Sequence, residues 1–211
     1  MTHCETFDAA FARCPLIAIL RGVRPDEVEA IGEQLVEAGF SIIEVPMNSP
    51  DPLDSIARLA TRLAGRAVVG AGTVLTVEQV AAVQDAGGTV VIAPNADTAV
   101  IAEAAGRGLV SLPGIATPTE AFAALAAGAA ALKLFPAEAA SPAVLKAMRA
   151  VLPAGTRVLP VGGIGPDNMG PWQAAGAAGF GLGSALYSVG LDAAAVRVRA
   201  DAFIAALGSG A

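Results

Sequence analysis

Lysine is the scarce cation of this sequence: Lys133 and Lys146 stand against eleven arginines. Surface charge is left to arginine, so a lysine inside an apolar run calls for a reason. Lys133 lies in Ala130-Ala131-Leu132-Lys133-Leu134-Phe135-Pro136. In an extended chain side chains alternate, so Lys133 shares a face with Ala131 and Phe135, while Leu132 and Leu134 take the other. An ammonium among apolar neighbours loses hydration, and its pKa falls below about 10.4. The partly neutral amine is then a nucleophile for a ketone. The alternative is a lysine that snorkels or is paired with a buried acid.

A partner is at hand in Ile42-Ile43-Glu44-Val45-Pro46. Glu44 closes a second apolar run, where a carboxylate serves as general acid and base, or as an ion-pair partner for Lys133. Arg21 ends Ile19-Leu20-Arg21-Gly22 and suits a carboxylate ligand or an ordering contact to Glu44. Gly70-Ala71-Gly72-Thr73 combines glycines, which let backbone approach a ligand, with the Thr73 hydroxyl. Two further glycine-rich stretches, Val161-Gly162-Gly163-Ile164 and Gly181-Leu182-Gly183-Ser184, have the composition of loops that aim amides at an anion.

Composition removes other chemistries. The one histidine is His3, at a terminus expected to fray, so a Ser-His-Asp triad and a histidine-rich metal site both lack their parts. Cys4 and Cys14 read as ordinary buried or half-buried thiols. The net charge of −6 and the absence of a basic patch argue against nucleic acid. Mean hydropathy is +0.62, but every apolar run is cut by Gly, Pro or a charge well before the roughly 20 residues of a spanning helix. No signal peptide is read at the N-terminus, so the cytoplasm is the expected compartment.

These residues need elements to hold them. Eight short apolar runs are expected as strands, at 16–20, 41–45, 67–70, 89–93, 109–112, 130–135, 157–161 and 178–182. Each is apolar along most of its length, as in parallel strands buried on both faces. Helices fill the intervals. Their expected starts are Pro25-Asp26-Glu27, Asp51-Pro52, Thr76, Asp97, Thr117-Pro118, Ser141-Pro142 and Pro166-Asp167, and Gly39 ends the first of them. One helix at 5–13 precedes the first strand and one at 192–207 follows the last. The expected fold is an α/β (β/α)₈ TIM barrel with an N-terminal helix, one domain over residues 1–211. An open doubly wound sheet is disfavoured, because Gly179-Phe180-Gly181-Leu182-Gly183 has the wrong spacing for a dinucleotide loop. In a barrel, Lys133, Glu44, Arg21 and Thr73 stand at strand ends on one face, and the two last glycine loops follow strands seven and eight, the common phosphate position.

Taken together, these segments and Glu44-Val45-Pro46-Met47-Asn48-Ser49-Pro50, Pro94-Asn95, Pro113-Gly114 and Thr117-Pro118-Thr119-Glu120 resemble the 2-keto-3-deoxy-6-phosphogluconate and 2-keto-3-deoxy-6-phosphogalactonate aldolases over nearly the whole chain. The resemblance implies that Lys133 forms a Schiff base and that Glu44 is the acid/base residue, working through a bound water. It places Arg21 and Thr73 by a pyruvyl carboxylate. It puts Gly162, Gly163 and Ser184 on the phosphate, and Pro94 and Phe135 in the pocket wall. It further implies a homotrimer, no metal and no organic cofactor. Asn48-Ser49-Pro50 and Val161 resemble the galactonate branch, since the gluconate enzymes carry Arg-Thr-Pro and Thr at those places. The substrates differ in the carbon-4 hydroxyl, and Val161 offers that hydroxyl no partner, a difference of about 1–3 kcal/mol. Other readings are a barrel epimerase or synthase and a non-catalytic sugar-phosphate sensor.

Overall fold

The computed structural model describes residues 2–208. Its strands are β1 (Leu16–Ile19), β2 (Ile42–Pro46), β3 (Val68–Gly72), β4 (Val90–Ile92), β5 (Val110–Leu112), β6 (Gly114–Ile115), β7 (Leu132–Leu134), β8 (Val158–Pro160) and β9 (Phe180–Leu182). All pairings are parallel, in the orders β5-β4-β3-β2-β1-β9 and β6-β7-β8. Two seams close these into a barrel. Ala178 donates to the Val158 carbonyl and Val161 bridges Gly181 on one side; on the other, Ala130 donates to Ser111 and Lys133 to Pro113.

Eight staves were expected, and β5 and β6 together make the fifth. Pro113 splits them, because proline has no N–H to give a ladder. The β5 half accepts from Ala93, and the β6 half pairs with β7. Strand three runs further than expected, through Ala71 and Gly72.

The helices are α1 (His3–Arg13), α2 (Val28–Ala38), α3 (Pro52–Arg62), α4 (Val77–Asp85), α5 (Thr98–Gly106), α6 (Pro118–Ala126), α7 (Pro142–Arg149), α8 (Met169–Ala174) and α9 (Ala193–Gly208). Thr76, Asp97, Thr117 and Ser141 cap them through side-chain oxygens, so unpaired N–H groups of the first turns find acceptors. Two starts differ from expectation. Residues 25–27 and 166–168 form turns ahead of α2 and α8, so Pro25 and Pro166 open turns and not helices. Gly39 ends α2 with φ 113°, and Phe40 N–H reaches back to the Leu35 carbonyl. No described helix is long and apolar enough to cross a membrane.

The strands sort residues into two layers of core. Leu132 and Leu134 face outward to the helices, as do Ala18, Ile43, Val45 and Ala71. Ile17, Ile42, Val68, Val90, Val110, Ala131 and Leu159 fill the barrel interior together with Phe7, Ala10 and Phe11 of α1. That helix therefore stoppers the mouth at the strand N-termini. Ser41 Oγ donates to the Ala10 carbonyl, Arg13 to the Arg66 carbonyl, and Arg157 pairs with Asp8, each partner standing just before a strand.

His3 is the exposed first residue of this helix, and Thr2 and Glu5 form a capping box at its start. Cys14 is buried, but Cys4 is exposed, a turn short of the first buried residue of α1, Phe7. Phe180, Trp172 and Tyr187 all pack in the core.

Candidate active site

With one mouth filled by α1, the strand C-termini are left to build a site. Alternation along β7 turns Lys133 inward above Ala131, and Lys133 is 6% exposed. Register does the same for Glu44. It stands level with Ile19 of β1 and Gly70 of β3, the residue is 1% exposed, and its Oε2 has no hydrogen-bond partner among the described residues.

Glycine makes the room for it. A Cβ on Gly72 would overlap the Glu44 carboxylate, and one on Gly70 would overlap the Val90 carbonyl. The glycines of β3 were expected to admit a ligand; the space beside Gly72 belongs to Glu44. Gly181 opposite does the same for Val161, whose Cγ2 lies 2.7 Å from where a Cβ would sit.

Burial moves both groups toward neutrality. Desolvation pushes the Glu44 carboxyl up to about 7, against the opposing pull of Lys133 and Arg21. Desolvation lowers the Lys133 ammonium, Glu44 works against that shift, and Arg21 adds to it. No ion pair within 4.0 Å joins Lys133 and Glu44 among the described residues, so the carboxylate is not spent on a direct bridge to the lysine. A small cavity of about 10 Å³ lies between them, walled by Ile17, Ile19, Ile92, Leu112, Leu159, Val161 and Gly181. Lys133 Nζ sits 4.7 Å from the centre of the Phe135 ring, which flanks it on the outer side.

Above Lys133 a larger cavity of about 320 Å³ opens outward. It brings together Arg21, Phe135, Val161, Gly162, Gly163 and Ser184, as the sequence led one to expect. Arg21 is held in place: Nη1 donates to Asn48 Oδ1 at 2.5 Å and Nη2 to Thr73 Oγ1 at 3.4 Å. Thr73 has φ 56°, a left-handed conformation that costs a β-branched residue about 1–3 kcal/mol. Thr73 and Asn48 thus reach the site through Arg21. Pro94 lines neither cavity; its carbonyl lies so close to Gly114 that a Cβ there would overlap it.

Further residues hold the loops of the site. Ser49 Oγ accepts from Gly22 N–H at 2.9 Å and ties the loop after β2 to the loop after β1. Asn168 fastens the glycine loop after β8, donating to the Gly163 carbonyl at 2.8 Å and accepting from Gly165 N–H at 3.0 Å. Glu138 also lines the larger cavity, on the short 3₁₀ turn Ala137–Ala139 after β7. Only its position three residues beyond Phe135 could have pointed to it.

A family model described as KDPG and KHG aldolase matches residues 7–198. The chain belongs to this aldolase family. It is therefore an enzyme, a lyase, and its curled parallel sheet is the barrel of that family. Among relatives of the aldolase, a protein of Rhizobium meliloti (strain 1021) named probable 2-dehydro-3-deoxy-6-phosphogalactonate aldolase is 48% identical over 192 residues, covering 91% of each chain. An Escherichia coli (strain K12) protein named 2-dehydro-3-deoxy-6-phosphogalactonate aldolase is 46% identical over 194 residues, 92% of this chain and 95% of the relative. A solved structure described as native KDPGal superposes with a TM-score of 0.93 at 45% identity, over 94% of this aldolase and 96% of that chain.

Proposed function

We propose that this aldolase cleaves 2-keto-3-deoxy-6-phosphogalactonate to pyruvate and glyceraldehyde 3-phosphate through a Schiff base on Lys133. The observation that carries the chemistry is a lysine buried inside the barrel, lowered in pKa, with a buried carboxyl pushed to about 7 across a water-sized gap. The names of the 46–48% identical relatives support the galactonate substrate. So does Val161, which borders both cavities with a methyl where a hydroxyl would offer carbon 4 a partner.

The neutral amine of Lys133 adds to the keto carbon, and water leaves as the iminium forms. Glu44 relays protons, through a water that the small cavity fits. Glu44 then takes the carbon-4 hydroxyl proton, and the bond between carbons 3 and 4 breaks. Its electrons move into the iminium to give an enamine, and glyceraldehyde 3-phosphate departs. Protonation at carbon 3 and hydrolysis release pyruvate and restore the amine. Arg21, steadied by Asn48 and Thr73, faces the pyruvyl carboxylate. The loop Gly162–Gly163 and Ser184 take the phosphate. Phe135 walls the pocket beside Lys133, and Pro94 supports the rim through Gly114. We assign residues 1–211 to one domain, with no organic cofactor. We assign the assembly as a homotrimer on the family resemblance, and the compartment as the cytoplasm, where a charged, phosphorylated substrate is retained.

Borohydride reduction with pyruvate tests the chemistry: it should leave a stable adduct on Lys133, and an unmodified Lys133 defeats the Schiff base. The ratio of kcat/KM for the two carbon-4 epimers tests the substrate. A preference for galactonate is expected, and an equal or reversed ratio discards the epimer assignment while leaving the aldolase intact. Light scattering of the purified enzyme reads the assembly, with a mass of three chains expected.

A further inference from the structure

The carboxylate of Glu138 lies across the two glycines at the outer end of the larger cavity. A Cβ on Gly162 would overlap Glu138 Oε2, and one on Gly163 would come 2.7 Å from its Cγ. The backbone beneath it is pinned. Ala137 is buried and donates to the Val161 carbonyl at 2.9 Å, and Ala139 donates to the Pro136 carbonyl at 3.1 Å. The Glu138 side chain is exposed, and no hydrogen bond or ion pair ties it among the described residues. Asp167 borders the same end of the cavity, adding a second negative charge. The nearby cation Arg21 is already engaged by Asn48 and Thr73.

A terminal phosphate arriving at Gly162 and Gly163 therefore meets a carboxylate already in its place. A terminal hydroxyl meets an acceptor. We propose that Glu138 is a specificity-determining residue for the substrate terminus: where it lies it accepts a hydrogen bond from a carbon-6 hydroxyl, and for a phosphate it swings off the glycines. The same pocket then serves an unphosphorylated 2-keto-3-deoxy sugar acid. The terminus takes no part in the bonds made or broken. The carbon 3–carbon 4 bond breaks as before, Glu44 holds the hydroxyl proton, and the products are pyruvate and glyceraldehyde. The inference rests on the reading that Gly162 and Gly163 receive the substrate terminus.

The test compares the wild type with Glu138→Gln and Glu138→Asp. One readout is kcat/KM for the phosphorylated and unphosphorylated galactonate substrates. Another is the Kd of glycerol 3-phosphate, which needs no chemistry at Lys133. Removing one unit charge beside a dianion at a wet site is worth roughly a factor of ten. Glu138→Gln should bind glycerol 3-phosphate about tenfold more tightly by that argument. Its kcat/KM should rise on the phosphorylated substrate and fall on the unphosphorylated one. Glu138→Asp, with its charge drawn back from the glycines by one methylene, should lie between, and it carries the test if the Gln variant does not fold. An unchanged ratio and unchanged Kd, or a parallel fall on both substrates, overturns the proposal. If the wild type cleaves neither substrate, the galactonate assignment fails, and the Kd comparison still decides the role of Glu138.

Discussion

Burial moves Lys133 and Glu44 toward neutrality from opposite sides, and each holds the other back. That balance sets a pH dependence. Glu44 must be ionised to take the carbon-4 proton, and its pKa is about 7. Log kcat/KM should therefore fall with a slope near one as pH drops below about 7, because free-enzyme groups appear in kcat/KM. Glu44→Gln should slow cleavage by about 10²–10⁴-fold and remove that limb of the profile. A pH–rate series on both proteins checks it, and a limb that persists in Glu44→Gln moves the base to another residue. Lys133→Met should abolish cleavage and borohydride trapping while leaving the thermal unfolding curve cooperative. Turnover at the wild-type rate in that variant would remove the Schiff base from the mechanism.

At the scale of elements, β3 does for Glu44 what β9 does for Val161: an inward glycine leaves the volume that a neighbour's side chain occupies. Gly72→Ala should displace the Glu44 carboxylate. We expect a loss of stability of about 1–3 kcal/mol, the usual cost of overpacking. We also expect a fall in kcat larger than any change in KM. Steady-state kinetics and urea unfolding of the variant check both, and an unaltered kcat means the carboxylate is not fixed by Gly72. The strands that place these groups were legible in advance, because parallel staves buried on both faces leave unbroken apolar runs, and period two alone aimed Lys133 inward. The division of labour in Gly70-Ala71-Gly72 was not, since a glycine looks the same whether it admits a ligand or a neighbouring carboxylate. The continuation of the fifth stave beyond Pro113 was not foreseen either, because it rests on pairing that switches there from β4 to β7. Glu138 was missed because its place depends on the distant glycine loop after β8 lying against it, and Asn168 because its partners are backbone groups of its own loop, which leave no mark in residue type.

For the molecule as a whole, the barrel holds a carboxyl that it would rather keep protonated. Glu44 has an unfolded-state pKa near 4.5 and a folded value of about 7. The folded state thus binds the extra proton between those values. Its stabilising effect is full below about 4.5 and is lost as pH rises through about 7. At about 1.4 kcal/mol per pKa unit, ionised Glu44 costs the fold on the order of 3 kcal/mol at pH 8, an upper bound because Lys133 and Arg21 respond to its charge. Glu44→Gln removes that cost. It also removes the negative charge that holds the Lys133 ammonium up, so Lys133 ionises less readily in the variant. The variant should therefore be more stable than the wild type at pH 8 and nearly equal to it at pH 5, while being the poorer catalyst at both. Urea unfolding of the two proteins at those pH values measures the difference directly. A gain that is the same at pH 5 and pH 8 would trace to packing and not to a charge held in the barrel for catalysis.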